Sequence, residues 1–488
     1  MPQPTIAVIG AGFSGTLLSL SLQARAPAGT RIRLIEGAGR FAVGLAYATA
    51  NSNHLLNAPA GRMSALPDQP LDFVNWLRRQ PESHQSDIVP DETSFVSRRL
   101  YGAYLQHLLQ RGLRKQLANR LELVDDQVTG IEEFPGQVTL LMASGAVAST
   151  DLAVLAVGLP RSAALHSEIA VLEAAGLWRR DPWAPAVYAA LDPTAAVLIV
   201  GCGLTMIDAV ISLLDARHIG PIHAVSRHGL LPRRHAAQPL EPVALPPLPN
   251  GLLPLVRFTR QQAADAADWR TVIDALRPII PELWRGLSER EQHQFLRHLR
   301  ASWDVHRHRV APQIADRIEA AQASGQLRVR AGHIIGMAVD NGLASVAIRG
   351  RAGGDQQTLT AARVIDCTGH GCDIARNTSP LLRKLFRSGL GRPDRLRLGL
   401  DVTNEGALVN VVGAASERLF AVGPLTRGRV WELTALPELR RQCVDTARVL
   451  GGRLEGITGN MRPAGHIAPR LRRFKERAMP TIKDNGVI

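Results

Sequence analysis

Lysine is nearly missing from this chain. Only Lys115, Lys384, Lys475 and Lys483 stand among the 57 basic residues of its 488, so arginine carries almost all of the +14 formal charge. Such a field attracts anions, nucleotides and acidic substrates among them; a compositional preference for arginine gives the same excess. Aromatic residues are also scarce, at 4%. With the arginines scattered and few rings between them, the pattern of a nucleic-acid binder is absent. The four cysteines, Cys202, Cys367, Cys372 and Cys443, form no C-x-x-C and no metal-ligand spacing, which fits a reducing cytoplasm. No run of about 18 apolar residues marks a membrane span. The apolar N-terminus has no positive residue ahead of it, as a secretory signal would. A cytoplasmic protein without a membrane span is the expectation, and its length suggests two or three domains.

What is present begins at Thr5–Gly15, TIAVIGAGFSG. Ile6 to Ile9 read as a buried strand, Gly10, Gly12 and Gly15 fall at G-x-G-x-x-G spacing, and Thr16 to Leu22 reads as the helix behind them. The first glycine permits a tight turn, the second admits a pyrophosphate, and the third lets helix and strand pack closely. The phosphates then meet the free N–H groups and positive end of the helix. Glu36 closes the next apolar stretch, 21 residues after Gly15, where it reaches a ribose 2′-hydroxyl.

A second unit lies at Ala195–Met206, AAVLIVGCGLTM. Val197 to Val200 read as strand, Gly201 and Gly203 as turn, and Leu204 to Leu214 as helix, with Thr205 in the first helical turn. Met206 replaces the third glycine, which implies a looser helix–strand approach. At the offset that yields Glu36 in the first unit, the second has Arg227, and no acid occurs from Ile222 to His235. Ser226 and Arg227, with Arg233 or Arg234, suit a 2′-phosphate that a carboxylate would repel. The first site therefore suits an adenosine with a free ribose hydroxyl and the second suits NADP.

Elsewhere the signals are coarser. A long loop-rich segment follows Glu36, then helices near Pro70 and over Arg98 to Leu117. Strand-like runs occupy Leu121–Val124, Val138–Met142 and Leu152–Val157, the last ending at Gly158. Leu240 to Pro254 reads as a linker and Asp268 to about Ala321 as helical. That helical stretch holds His293, His298, His306 and His308. Asp304 and His308 share a face, but no third ligand is evident, so no metal is expected. Further strand-like runs are Leu327–Arg330, Ala344–Ile348, Val364–Cys367 (leading to Gly369), Leu398–Val402 and Leu419–Val422. A helix starts near Leu433 to Glu438, its N-terminus suited to negative charge on a ring. The tail is arginine-rich and reads as flexible.

Together these residues resemble the FAD/NAD(P)-binding flavoprotein family that includes FAD-dependent urate hydroxylase and L-aspartate N-monooxygenase. The carrying motifs are IGAGFSG, GLAY (Gly44–Tyr47), HLLNAPAGRMS (His54–Ser64), VGCGLTMID, DCTG (Asp366–Gly369), VGPLTRG and WELTALPELR. The resemblance implies an α/β fold with two Rossmann-type dinucleotide-binding domains and a helical insertion. The expected partition is an FAD-binding domain over 1–165 and 326–450, an NADP-binding unit over 190–235, linker and helical insertion over 236–325, and a basic tail over 451–488. It implies that the turn from Gly10 through Phe13 and Ser14 to Gly15, with Glu36, holds the ADP half of FAD. His54, Asn57, Met63 and Ser64 would lie near the flavin ring, with Gly158 and Gly369 in neighbouring turns. Gly423, Thr434 and Ala435 would close the site, while Gly201, Gly203, Leu204, Thr205 and Arg227 hold the nicotinamide cofactor. Many such proteins carry Gly-Asp where this chain has Gly423-Pro424, so backbone groups must replace that acid's contact with the ribityl chain.

The function these expectations favour is an FAD-dependent, NADPH-using monooxygenase. It would hydroxylate nitrogen or carbon of a small polar molecule with molecular oxygen, through a peroxyflavin. A disulfide reductase is disfavoured, since no cysteine lies between Glu36 and Cys202 to supply thiol exchange. The alternatives are an NADPH-dependent flavin dehydrogenase or reductase without oxygen insertion, and a flavin-binding module without turnover. No side chain need act as nucleophile; Arg62, Arg233 and Arg427 are candidate partners for a substrate anion.

Overall fold

The computed structural model describes residues 3–80, 91–115, 118–160, 167–351, 356–369, 373–433 and 436–459. Thr434, Ala435, Cys372 and the chain beyond 459 lie outside them. Three sheets organise the molecule. In the first, Thr5–Ile9 pairs in parallel with Arg31–Ile35 on one side and Leu152–Leu155 on the other. Arg120–Val124 extends one edge, Ala415–Ala421 and Ala407–Val409 the other. Ile6, Ala7, Val8, Leu152, Ala153, Val154 and Leu155 are fully buried. Continuous apolar runs of this kind belong to parallel strands covered on both faces. Helix Phe13–Arg25 covers one face and packs against the final helix, Leu436–Gly459, so the two ends of the described chain are joined in one core.

The second sheet repeats the plan. Val197–Val200 lies between Ile222–Ser226 and Arg363–Asp366, all parallel, with Leu327–Asp340 beside Ile222–Ser226. Leu343–Gly350 and Gln356–Ala361 then continue it as an antiparallel meander. The expected boundary at residue 326 is therefore not respected. The strands from Leu327 to Asp366 hydrogen-bond into the second sheet, and the chain returns to the first only at Ala407. Val364 and Ile365 are fully buried, and a short apolar run says nothing of which sheet receives it. A third sheet, Val128–Phe134, Gln137–Met142 and Val147–Thr150, is antiparallel and packs under helix Pro380–Arg387.

Three further readings change. Leu398–Val402 forms only isolated bridges, Leu400 to Pro393 and Val402 to Leu408. The expected linker gives way at Leu252 to a helix, Leu252–Asp265, because Pro254 falls in the first turn, where the missing N–H costs nothing. The helical insertion itself runs from there to Ala323. The final helix runs past residue 451 to Gly459, so the expected tail begins inside it.

Leu22 is fully buried in the core between the first and last helices. Leu22→Ala should cost about 2–5 kcal/mol through the cavity left behind, read as a lower denaturant midpoint with an unchanged slope. An unchanged midpoint would show that this packing is not part of the core.

Candidate functional site

The two glycine turns are built alike. Gly10 has φ +99° and Gly201 φ +110°. A Cβ on Gly10 would lie 2.7 Å from the Ala156 carbonyl oxygen, and one on Gly201 2.3 Å from that of Cys367. Each turn is thus pressed against the end of the next parallel strand, and only glycine fits. Beyond those strands Gly158 (φ +67°) and Gly369 (φ +77°) bend the chain, and a Cβ on either would meet nothing within 4 Å. Gly369 therefore belongs to the second turn, as Gly158 does to the first. At Gly15 a Cβ would sit 1.8 Å from the Gly10 carbonyl oxygen, which is the close helix–strand contact that a third glycine permits. Its counterpart Met206 is fully buried in the second core.

Both helices start uncapped. Gly12 and Gly203 are the N-caps, no side chain bonds to their first-turn N–H groups, and no acid stands there. A Cβ on Gly12 would find only the Gly44 Cα, at 3.7 Å, and one on Gly203 nothing within 4 Å. The free N–H groups of Phe13 and Ser14, and of Leu204 and Thr205, thus border open space, the setting a pyrophosphate requires. Glu36 is fixed at the end of its strand, Oε2 accepting from the Ala11 N–H (3.0 Å) and Oε1 from the Ala38 N–H (3.1 Å). At the matching strand end Arg227 is exposed, with no hydrogen bond or ion pair among the described residues. Arg234 is engaged by Asp316 and Glu319, whereas Arg233 is exposed. These residues fit a dinucleotide with a free ribose at the first turn and a phosphorylated one at the second.

A cavity of about 340 Å³ is walled by segment 46–63, the start of the second helix, residues 274–277 and 307–311, and Leu436-Pro437. Asn57 and Met63 line it, as does Leu204. His54 and Ser64 do not. His54 is 2% exposed, with Nε2 3.0 Å from the Asp208 carbonyl oxygen and 2.9 Å from Ser212 Oγ, and Nδ1 2.6 Å from Thr49 Oγ1. The carbonyl accepts only from a protonated Nε2, so Nδ1 takes the Thr49 hydroxyl proton. Burial holds the imidazole neutral by lowering its pKa. His54 therefore joins the first unit to the second helix and does not line the cavity. Ser64 is fully buried, its hydroxyl donating to the Gln69 carbonyl at 2.6 Å, so it shapes a turn.

The same seam carries Asp208, which accepts from Arg98 and from Trp183 Nε1 (2.9 Å). It also carries Asp215, which accepts from Asn51 (2.8 Å), Asn53 (3.1 Å) and Arg317 (2.7 Å). None of these residues was expected at the site. A polar sequence such as Asn51-Ser52-Asn53 gives no sign of a partner more than 150 residues away.

The cavity wall is cationic. Arg62, Arg98, Arg277, Arg307 and Arg309 outnumber Asp208 and Asp274. Asp274 is held by Arg309 and, at 4.0 Å, by Arg62; Arg307 is held by Glu432 at 2.7 Å. Among the described residues Arg277 pairs with Glu438, at 3.8 Å, and burial, with the neighbouring Arg307 charge, lowers its pKa to about 10. Arg427, expected as an anion partner, is instead buried and donates to the Leu398 carbonyl (2.9 Å). Gly423 (φ +81°) approaches the first helix so closely that a Cβ would lie 2.7 Å from Ser14 Oγ. Its N–H donates to Gln442 Oε1 at 2.8 Å, so that backbone group is not free to replace the missing acid's contact. Thr434 and Ala435 lie outside the described residues. Cys202, Cys367 and Cys443 are buried, burial raises each thiol's pKa, and none lines the cavity. Among the described residues no metal-binding cluster occurs, and no helix is long and apolar enough to cross a membrane.

His235 and His308 both line the cavity, and burial lowers each pKa to about 4. A histidine depressed on folding binds its proton more readily when unfolded. Its stabilisation is complete above the unfolded value of about 6.5 and is lost as pH falls toward 4. Denaturation midpoints should drop steadily from pH 7 to pH 4.5, and His308→Asn should shallow that fall. A profile that His308→Asn leaves unchanged would contradict a neutral imidazole at that half-buried position.

Comparison with known proteins agrees with this geometry. Residues 7–160 match the family model described as FAD-NAD(P)-binding, while no curated protein matches the sequence. Among solved structures, the reduced form of ornithine hydroxylase (PvdA) from Pseudomonas aeruginosa is 18% identical with a TM-score of 0.62, covering 93% of this chain and 100% of that one. The cadaverine monooxygenase DfoA from Erwinia amylovora, bound to FAD, is 12% identical with a TM-score of 0.59, covering 97% and 100%. Thioredoxin reductase from Lactococcus lactis is 9% identical with a TM-score of 0.51, covering 93% and 100%. The chain thus has the two-dinucleotide-binding-domain flavoprotein fold, with the FAD-NAD(P)-binding family model matched across its N-terminal third.

Proposed function

We propose that this chain is an FAD-dependent monooxygenase that takes hydride from NADPH and hydroxylates a small polar molecule. The observation that carries the reading is one built turn made twice, an uncapped helix N-terminus over a parallel sheet edge, once with Glu36 and once with Arg227 at the neighbouring strand end, beside a cationic cavity that reaches the start of the second helix at Leu204. Bound FAD supplies the electron and oxygen chemistry, with NADPH as hydride source. The chain's part is position and field. Gly10, Gly12 and Glu36 hold the adenosine half of FAD, and Gly201, Gly203 and Arg227 hold NADPH. Gly158 and Gly369 bend the chain just beyond each turn, and Gly423 brings its backbone up to Ser14 on the first helix. Asn57 and Met63 line the cavity where the two cofactors would meet. Its arginines favour anions and disfavour cationic groups.

Disulfide exchange finds no support, since the described cysteines are buried away from the cavity and would be poor nucleophiles. Oxygen insertion is favoured over simple reduction by the higher TM-scores of the hydroxylases, 0.62 and 0.59 against 0.51 for thioredoxin reductase.

Gly12→Trp fills the open space at the first helix and should yield colourless protein, read from the visible absorbance after purification. Retained yellow occupancy would contradict the assignment. Arg227→Glu should weaken NADPH binding at least tenfold, about 1.4 kcal/mol or more, and leave NADH binding nearly unchanged. Equal loss for both nucleotides would contradict a 2′-phosphate contact. Amino acids, polyamines and purines should be screened for NADPH oxidation coupled to hydroxylated product. Hydrogen peroxide alone, with every class, would exclude the monooxygenase.

A further inference from the structure

The helical insertion, with Trp431, borders a second, open-mouthed cavity of about 410 Å³ that shares no lining residue with the cofactor cleft. Helix Leu252–Asp265 forms one wall through Leu255, Val256 and Ala263, and helices Trp269–Leu276 and Arg300–Arg307 form another. The floor is aromatic. Trp284 and Trp431 stack with centroids 5.0 Å apart, and Phe295 meets the Trp431 ring edge-on at 5.6 Å. Trp269 and Trp303 also line the space. A large share of the tryptophan in a chain that has seven is therefore gathered here.

The polar ends of these rings are mostly turned to partners. Trp284 Nε1 donates to the Gly428 carbonyl at 3.1 Å, Trp303 Nε1 donates to Glu432, and His306 Nδ1 lies 2.7 Å from the Ser302 carbonyl oxygen. Trp431 differs: it is 7% exposed, and its Nε1 is buried with no acceptor among the described residues. An indole N–H is a donor only and ordinarily finds an acceptor when buried. No carboxylate lines the cavity, and its one permanently charged residue, Arg260, is exposed. A concave, ring-lined space of this size with few polar groups has the character of a small-molecule site and not of a flat protein-docking patch.

The cavity is also wired to the cleft. The helix that offers it Ile273 and Leu276 places Asp274 on the cleft, and the helix that offers it Trp303 and His306 ends in Arg307 on the cleft. Glu432, at φ +65°, bonds to both Trp303 and Arg307.

We infer that the Trp269–Trp284–Trp303–Trp431 cavity is a second ligand site, for an uncharged, ring-bearing apolar molecule held by stacking on indole faces. The size of the cavity and its lack of carboxylates favour such an occupant over a cation or a peptide.

The test uses the FAD-loaded protein and the neutral fluorophore N-phenyl-1-naphthylamine. Saturable binding of one probe per chain is expected, with quenching of tryptophan emission and no displacement by saturating NADP+. Ala263→Phe, which fills the cavity, and Val256→Lys, which charges its wall, should each weaken probe binding at least tenfold while flavin content stays at wild-type level. Absence of saturable binding would overturn the inference. So would displacement by NADP+, or affinity unchanged in both variants. A concentration-dependent dimer that alone excludes the probe would overturn it too, assigning the groove to a second copy of the chain.

Discussion

Everything in this fold hangs on a backbone contact made twice: a glycine at the end of a parallel strand pressed against the carbonyl that ends the strand beside it. At Gly10 the neighbour is Ala156, and at Gly201 it is Cys367. The contact turns the chain sharply enough for a helix to start over the sheet edge with its first N–H groups free. Had a side chain capped either helix, its peptide dipoles would be spent within the protein. Left open, they form two anion-binding ends, which is what a dinucleotide with its pyrophosphate needs.

Two such ends do one job together only if they are held in register. That falls to a polar seam on the second helix, where Asp208, Ser212 and Asp215 receive His54, Arg98, Asn51 and Asn53 from the first unit. Buried polar groups satisfied on all sides fix geometry more sharply than apolar contact does, because any slip leaves a donor unpaired. His54 shows the principle. Neutral and fully engaged, it acts as a joint, and the cavity is left to Asn57, Met63 and the arginines.

The glycine turns were legible in the sequence because strand, turn and helix are contiguous there, so the whole physical argument fits in about a dozen residues. The places of Glu36 and Arg227 at matching strand ends were legible for the same reason, each lying at a fixed offset from its turn. Long-range assembly was not. Arg363–Asp366 reads as a buried strand in any sheet, and only pairing shows that it completes the second. His54 and Ser64 sit in a motif-rich stretch yet turn inward. Arg427 carries a guanidinium like any other, and burial against the Leu398 carbonyl cannot be seen from its neighbours. The helix at Leu252 hides behind Pro254, which reads as a breaker unless the helix start is already known.

The central claim is that reducing equivalents pass from a nucleotide on the second turn to a flavin on the first. Anaerobic titration of the FAD-loaded protein with NADPH tests it most directly. The account predicts stoichiometric bleaching of the oxidised flavin's visible absorbance. A flavin that stays oxidised under excess NADPH, or a protein that takes up no FAD, would contradict it.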